Sequence, residues 1–196
     1  LKKGRDYERL EERGLPIPLY GVFDSSCLEV GSEADRLSEI VNRILTSGSG
    51  KAAVRTEPKG QVAALANYPH LMPLLSLKDV ADSIKRVTED HPGHDWWFLI
   101  NEAFTEYQWN AVVMATDRLP EPGGPRLIGE VNEKDNVPLR EALGHTANCV
   151  QIQDWHEPDV GKLRTMIIDS GLLNEWIEVS AVYSKNKERI VFWGMR

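Results

Sequence analysis

Arg126-Leu127-Ile128-Gly129-Glu130-Val131-Asn132 reads as a β-strand carrying two hard oxygen ligands, Glu130 and Asn132, at i and i+2. Strand side chains alternate between faces, so this spacing aims both at one place. A carboxylate and an amide oxygen held together suit a divalent cation such as Mg²⁺ that also takes phosphate oxygens. Asp117, toward the far end of the preceding strand, is the candidate third ligand. Phosphates also need cations, and Lys2, Lys3 and Arg55 are the candidates. Arg55 closes a small apolar strand, where a guanidinium can present two N–H groups to one phosphate. A nucleobase needs hydrogen-bonding backbone between apolar walls. Phe98-Leu99-Ile100-Asn101-Glu102-Ala103-Phe104 offers that, with Glu102, Ala103 and Phe104 at the strand end. Each group has an ordinary alternative: ion-paired surface charges for the cations, the polar face of an edge strand for the acid and amide, and a plain strand end for the connector.

Other reactive side chains form less complete sets. His91, His94 and Asp95 lie around a Pro-Gly turn, and Asp154, His156 and Glu157 form a second cluster. Neither has the helical spacing of a zinc hydrolase, and a metal site needs further ligands from elsewhere. The second cluster supports a metal-dependent hydrolase as the third reading of function. Cys149, with His145 nearby, sits in the apolar run Ala147-Asn148-Cys149-Val150 and reads as a buried, inert thiol. The chain has no Gly-x-x-x-x-Gly-Lys-Ser/Thr loop, Gly-x-Ser-x-Gly elbow or dinucleotide fingerprint.

The elements that must position these residues follow from periodicity and punctuation. Charged residues 5–13 predict a short surface helix stopped by Gly14, and Leu19 to Phe23 a strand. Ser32-x-x-Asp35 predicts a capped helix with Leu37, Ile40, Val41, Ile44 and Leu45 on one stripe. Lys51 to Thr56 reads as a short strand, and residues 61–75 as loops and turns cut by Pro69 and Pro73. Ser76 caps a helix that buries Leu77, Val80, Ala81, Ile84 and Val87, and His91-Pro92-Gly93 breaks it. Trp96 to Ile100 is continuously apolar, as a central strand is. Trp109–Ala115 and Arg126–Asn132 predict a hairpin joined by a Pro/Gly loop. A helix over 137–143, another from Pro158 to Gly171 and a closing hairpin from Ile177 complete the pattern. Together these give an α+β (mixed α/β) fold of two small subdomains, residues 1–90 and 91–196, each with a mainly antiparallel sheet and helices. One compact unit is the alternative division.

At 196 residues the chain can bury a real core. The formal charge of −7 disfavours nucleic acid and anionic membrane as partners. No apolar run approaches the roughly 18 residues of a membrane span. The two cysteines lie outside any Cys-x-x-Cys pattern, and no signal peptide is visible, so the cytoplasm is the expected compartment. Leu1 rather than Met opens the chain, so an upstream segment is expected. Most of the six tryptophans are expected in core or pocket walls.

Read in order, these stretches resemble the ATP-grasp-like nucleotide-binding half of phosphoenolpyruvate synthase and pyruvate phosphate dikinase. Lys2-Lys3-Gly4 precedes Gly14-Leu15-Pro16-Ile17-Pro18, as in that family, and Val54-Arg55-Thr56-Glu57 stands where the family has valine-arginine-serine-serine. Residues 77–89, 95–115 and 126–132 then take the places of a helix, two strands with the adenine hinge and a strand ending in a metal-binding glutamate. Glu130-Val131-Asn132 is also similar to the Glu-x-Asn metal motif of ATP-grasp ligases. The resemblance covers residues 1–132. It implies ATP as ligand or substrate, Mg²⁺ as cofactor, Arg55 and Lys3 in catalysis, Lys2 and Glu102–Phe104 at the nucleotide, and Glu130, Asn132 and Asp117 at the metal. The chain has no room for the family's swivelling phosphohistidine domain or phosphoenolpyruvate barrel, so this polypeptide alone does not run the whole dikinase reaction. The second reading is a non-enzymatic protein–protein interaction module, with Trp155 and Trp176 marking the partner surface.

Overall fold

The computed structural model describes residues 2–60, 70–121, 124–132, 149–152, 159–184 and 187–195. Contacts divide the chain into two units. The first comprises Leu1–Gly4, Pro18–Thr105 and Ser184–Asn186, and the second Arg5–Ile17, Glu106–Tyr183 and Lys187–Arg196. Residues 5–17 join the second unit, and the first runs on through Thr105, past the boundary after residue 90 that the sequence predicts. The reason is strand β4 (Trp96–Glu102), which hydrogen-bonds between β1 (Tyr20–Phe23) and β2 (Ala52–Pro58) and so belongs with them.

The first unit is a four-stranded antiparallel sheet in the order β1-β4-β2-β3. Its edge strand β3 (His70–Leu74) lies where the sequence suggested loops and turns. Pro73 sits on that edge strand, where a missing N–H breaks no interior ladder. Helices α2 (Ser32–Thr46) and α3 (Leu77–Asp90) cover one face. Leu37, Val41 and Ile44 of α2 and Val80, Ile84 and Val87 of α3 meet Ala52, Val54, Trp96, Phe98 and Ile100 in one apolar cluster. Full burial of each large side chain contributes roughly 1.5–3 kcal/mol, so the cluster is ample to hold the sheet against its helices. The N-cap of α2 is Gly31 and makes no side-chain bond, so Ser32 is the first helical residue rather than the cap. At α3 the expected cap holds: the Asp79 amide donates to Ser76 Oγ at 3.1 Å, and the Leu75 amide donates to Asp79 Oδ2 at 3.2 Å. Ser76→Ala should therefore cost about 1 kcal/mol in urea unfolding. An unchanged midpoint would show that the helix end is held by packing alone.

The second unit is a five-stranded sheet among the described residues, in the order β7 (Cys149–Gln151), β6 (Gly124–Asn132), β5 (Tyr107–Glu121), β8 (Ile177–Ser184) and β9 (Lys187–Met195), and the pairings from β7 to β8 are antiparallel. Strand β5 (Tyr107–Glu121) pairs with β6 (Gly124–Asn132) and with β8 (Ile177–Ser184). Strand β7 (Cys149–Gln151), which the sequence did not suggest, adds to β6, and β9 (Lys187–Met195) completes the order. The expected hairpin is present, but its strands run further toward the turn than expected, with Glu121 opposite Gly124. One face carries Trp109, Ala111, Val113, Val179, Ala181 and Phe192. Leu163 and Ile167 of α4 (Asp159–Asp169) pack on it, with Leu10 of α1 (Lys2–Glu12). Helix α1 was expected to be a surface helix of residues 5–13, yet Tyr7 and Leu10 are fully buried, so it turns one face inward. The helix expected over 137–143 lies outside the described residues.

Candidate functional site

The face of the second unit's sheet turned away from this apolar cluster is the chemically distinctive one. Glu130 and Asn132 share it, as their spacing required. Register adds what spacing could not. Glu130 stands opposite Val112 on β5, and Glu178 on β8 stands opposite the same Val112 from the other side. Two carboxylates thus flank one small apolar residue, with Cα atoms two strand spacings, roughly 10 Å, apart. In the next row on the same face, Asn132 stands opposite Asn110, and Asn110 opposite Ser180. Asn132, Asn110 and Ser180 are all buried, while Glu130 and Glu178 are half-buried. This face can offer carboxylate and amide oxygens to a cation and an amide N–H to an anion.

Asp117 does not join them. It is five residues beyond Val112 along β5, roughly 17 Å of strand, and odd where the shared face is even. It is exposed, and its Oδ1 accepts from Asn174 Nδ2 at 2.8 Å. The sequence correctly joined the strands as a hairpin, but the pairing runs the wrong end of β5 past Glu130. No group of three or more His, Cys, Asp or Glu suited to a metal exists among the described residues. Mg²⁺ does not require one: it commonly takes one or two carboxylates and fills its octahedron with phosphate oxygens and water. Glu130, Asn132 and Glu178 fit that pattern.

In the first unit, Arg55 lies in the middle of β2 rather than at a strand end, opposite Leu99 on β4 and His70 on β3. Its Nε is buried and makes no hydrogen bond among the described residues. His70 is exposed over much of its surface. Desolvation of the rest, and then the Arg55 charge, push its imidazole down to about 4. Glu57, two residues along on the same face, accepts at Oε2 from the Lys2 amide at 2.8 Å. Strand β2 thus holds the start of α1, the helix that carries Lys2 and Lys3.

The Glu102–Phe104 stretch differs from expectation. Its backbone was read as open for a base, but the Glu102 amide donates to the Leu19 carbonyl at 2.9 Å and the Ala103 amide to the Lys51 carbonyl at 2.8 Å. The Glu102 carbonyl accepts from Asn101 Nδ2 at 2.6 Å. The Glu102 carboxylate, 0% exposed, accepts from the Leu19 and Ser49 amides at 2.8 and 2.7 Å. This acid ties three chain segments together. Ala103 and Phe104 are both buried.

Asp154, His156, Glu157 and Trp155 lie outside the described residues, and so do His145, Ala147 and Asn148. His91 and His94 each pack a ring against Trp96. Among the described tryptophans, Trp96 and Trp109 are core, Trp193 is half-buried, and Trp97 and Trp176 are exposed. Sequence reading missed Asn110, Glu178 and Ser180. The available signal was a polar residue on the off-beat of each alternating strand: Asn110 between Trp109 and Ala111, and Glu178 and Ser180 around Val179. Only cross-strand register shows that they share a row with Glu130 and Asn132.

No helix among the described residues is long and apolar enough to cross a membrane. No family model matches the sequence, and no curated protein matches it. Solved structures do match. The ADP complex of N5-carboxyaminoimidazole ribonucleotide synthetase is similar over 100% of this chain, with a TM-score of 0.52 at 12% identity. The N5-carboxyaminoimidazole synthetase from Staphylococcus aureus is similar over 99%, at 0.51 and 10%. A RiPP-associated ATP-grasp ligase from Chryseobacterium gregarium, solved with ADP and a leader and core peptide, is similar over 98%, at 0.50 and 6%. The chain spans 44%, 43% and 50% of those three chains, about half their length or less. At such identities the likeness speaks for architecture alone: two units, each an antiparallel sheet with helices, arranged in this chain order, make the ATP-grasp fold.

Proposed function

We propose that this chain is an ATP- and Mg²⁺-binding module of the kind used in phosphoryl-transfer enzymes. One observation carries the reading: Glu130, Asn132 and Glu178 share one face of the second unit's sheet in adjacent rows, and Mg²⁺ sites are built from such oxygen donors. Glu130 and Asn132 are the proposed metal ligands, with Glu178 in place of Asp117 as the further carboxylate. Arg55 and Lys3 are the proposed phosphate contacts, with Lys2 beside them. The Glu102–Phe104 stretch is the proposed neighbour of the base, through Ala103 and Phe104 rather than the Glu102 carboxylate, which the Leu19 and Ser49 amides already occupy. Mg²⁺, when bound, would offset charge on the phosphate oxygens. The protein's own share would be positioning and electrostatic stabilisation, as in phosphoryl transfer generally. The ordered resemblance of residues 1–132 to the phosphoenolpyruvate synthase and pyruvate phosphate dikinase module supports a phosphoryl-transfer setting, and the ADP complexes among the similar folds support a nucleotide.

Calorimetry with Mg·ATP tests this. The wild-type chain should bind, and Glu130→Ala should lower affinity at least tenfold, since removing a charged ligand forfeits about 1.5–3 kcal/mol or more. Chelating Mg²⁺ should weaken the wild type similarly and leave the variant little changed. Equal affinity in the two proteins would remove Glu130 from the metal.

A further inference from the structure

Asn110 holds the least expected group in the second unit. It is 7% exposed, and its amide nitrogen is buried with no hydrogen-bond partner among the described residues. Its oxygen is engaged: Ser180 Oγ donates to Asn110 Oδ1 at 2.5 Å, and Trp193 Nε1 donates to Ser180 Oγ at 2.9 Å. An indole N–H can only donate. The bonds therefore run one way, from β9 through β8 to β5, and each engaged acceptor polarises the next donor. This relay fixes the Asn110 amide with its oxygen toward β8 and its N–H₂ toward the face shared with Asn132. A buried donor held without an acceptor is unfavourable, so a ligand that supplies one gains more than it would at an exposed surface.

The neighbouring row narrows the ligand. Glu130 and Glu178 lie one step away on the same face. Two acids disfavour a bare anion and favour an oxygen whose charge is offset by a divalent cation. We propose that Asn110 is a ligand-positioning residue whose amide N–H donates to a phosphate oxygen of cation-bound nucleotide, oriented by Ser180 and Trp193. This rests on the Mg·ATP reading above and adds a contact to it.

The test is titration of Mg·ATP into the wild type, Asn110→Asp and Ser180→Ala. Asn110→Asp keeps the shape and the acceptor for Ser180 but turns the donor into an anionic oxygen, so affinity should fall at least tenfold. Ser180→Ala keeps Asn110 but cuts the relay. It should weaken binding about threefold and displace a single ³¹P resonance of the bound nucleotide, which a merely structural role would leave in place. If Asn110→Asp does not fold, Ser180→Ala decides, and unchanged affinity with unmoved ³¹P resonances overturns the proposal. The same titration with Mg²⁺ and inorganic phosphate separates sources: loss on Asn110→Asp for phosphate with none for Mg·ATP overturns the nucleotide assignment. No binding to the wild type would instead sink the Mg·ATP reading, whereas a wild type that binds and variants that match it sink this inference alone.

Discussion

Gly129→Ala is expected to destabilise the chain by about 4 kcal/mol or more, at the top of the range for single substitutions. Gly129 lies in β6 opposite Val113, with φ at +142°, a conformation that side-chain-bearing residues rarely adopt. A Cβ there would sit 2.2 Å from the Val112 carbonyl oxygen and 2.8 Å from the Val113 Cα. Both are backbone atoms, so no side chain can turn aside. Either β5 and β6 separate, which breaks the ladder at the centre of the sheet, or the φ changes and Glu130 swings off the shared face. Glycine within a strand often marks such a close backbone approach. Urea unfolding followed by tryptophan fluorescence measures the cost. A loss under 1 kcal/mol would mean that the two strands are not as tightly apposed as their register implies. Since Glu130 is the next residue, Mg·ATP binding should fall even where the variant remains folded.

The second large effect concerns Glu102. Removing its side chain in Glu102→Ala leaves the Leu19 and Ser49 amides without their acceptor in a part-buried setting. Each such loss costs about 1–3 kcal/mol, so about 3 kcal/mol in all is expected. For a chain of this size that is a fall in Tm of roughly 6–12 °C. Glu102→Gln should lose about half as much, because one carboxamide oxygen can still accept while the N–H₂ faces a donor. Gly48 belongs to the same cradle: a Cβ at that position would lie 2.4 Å from Glu102 Oε1. The measurement also separates two roles. A structural tie predicts lost stability in the absence of any nucleotide. A residue that served only the base would instead show an unchanged Tm and weakened ATP binding, and that result would return Glu102 to the ligand.

Much of the architecture was legible from local pattern. The stripes Leu37-Val41-Ile44 and Val80-Ile84-Val87 give helices because 3.6-residue periodicity follows from the backbone of a single segment. Trp96 to Ile100 reads as a central strand because it is apolar on both faces, and it is central. Less legible were the strands that exist only by being paired. Residues 70–74 and 149–151 carry little alternation of their own, and β2 and β6 supply the hydrogen bonds that make them strands. Ser32 opens its helix as the pattern predicts, but Gly31 takes the cap position, because a Ser-x-x-Asp pattern says which groups could bond, not which do. Residues 5–13 were read as surface from their charges, although Tyr7 and Leu10 lie on the one face that is buried.

The candidate site divides along the same physical line. That Glu130 and Asn132 share a face was settled by their spacing alone, because strand alternation is a property of the covalent backbone. Whether Asp117 could join them, whether Glu102 was available, and which off-beat residues on other strands stood beside the pair were decided by register and by tertiary hydrogen bonds. Those depend on which strands meet and where each pairing begins, and such choices are made by packing between residues far apart in the chain. Alternation could place an acid and an amide side by side, but only the assembled sheet could bring Glu178, Asn110 and Ser180 to them and carry Asp117 away.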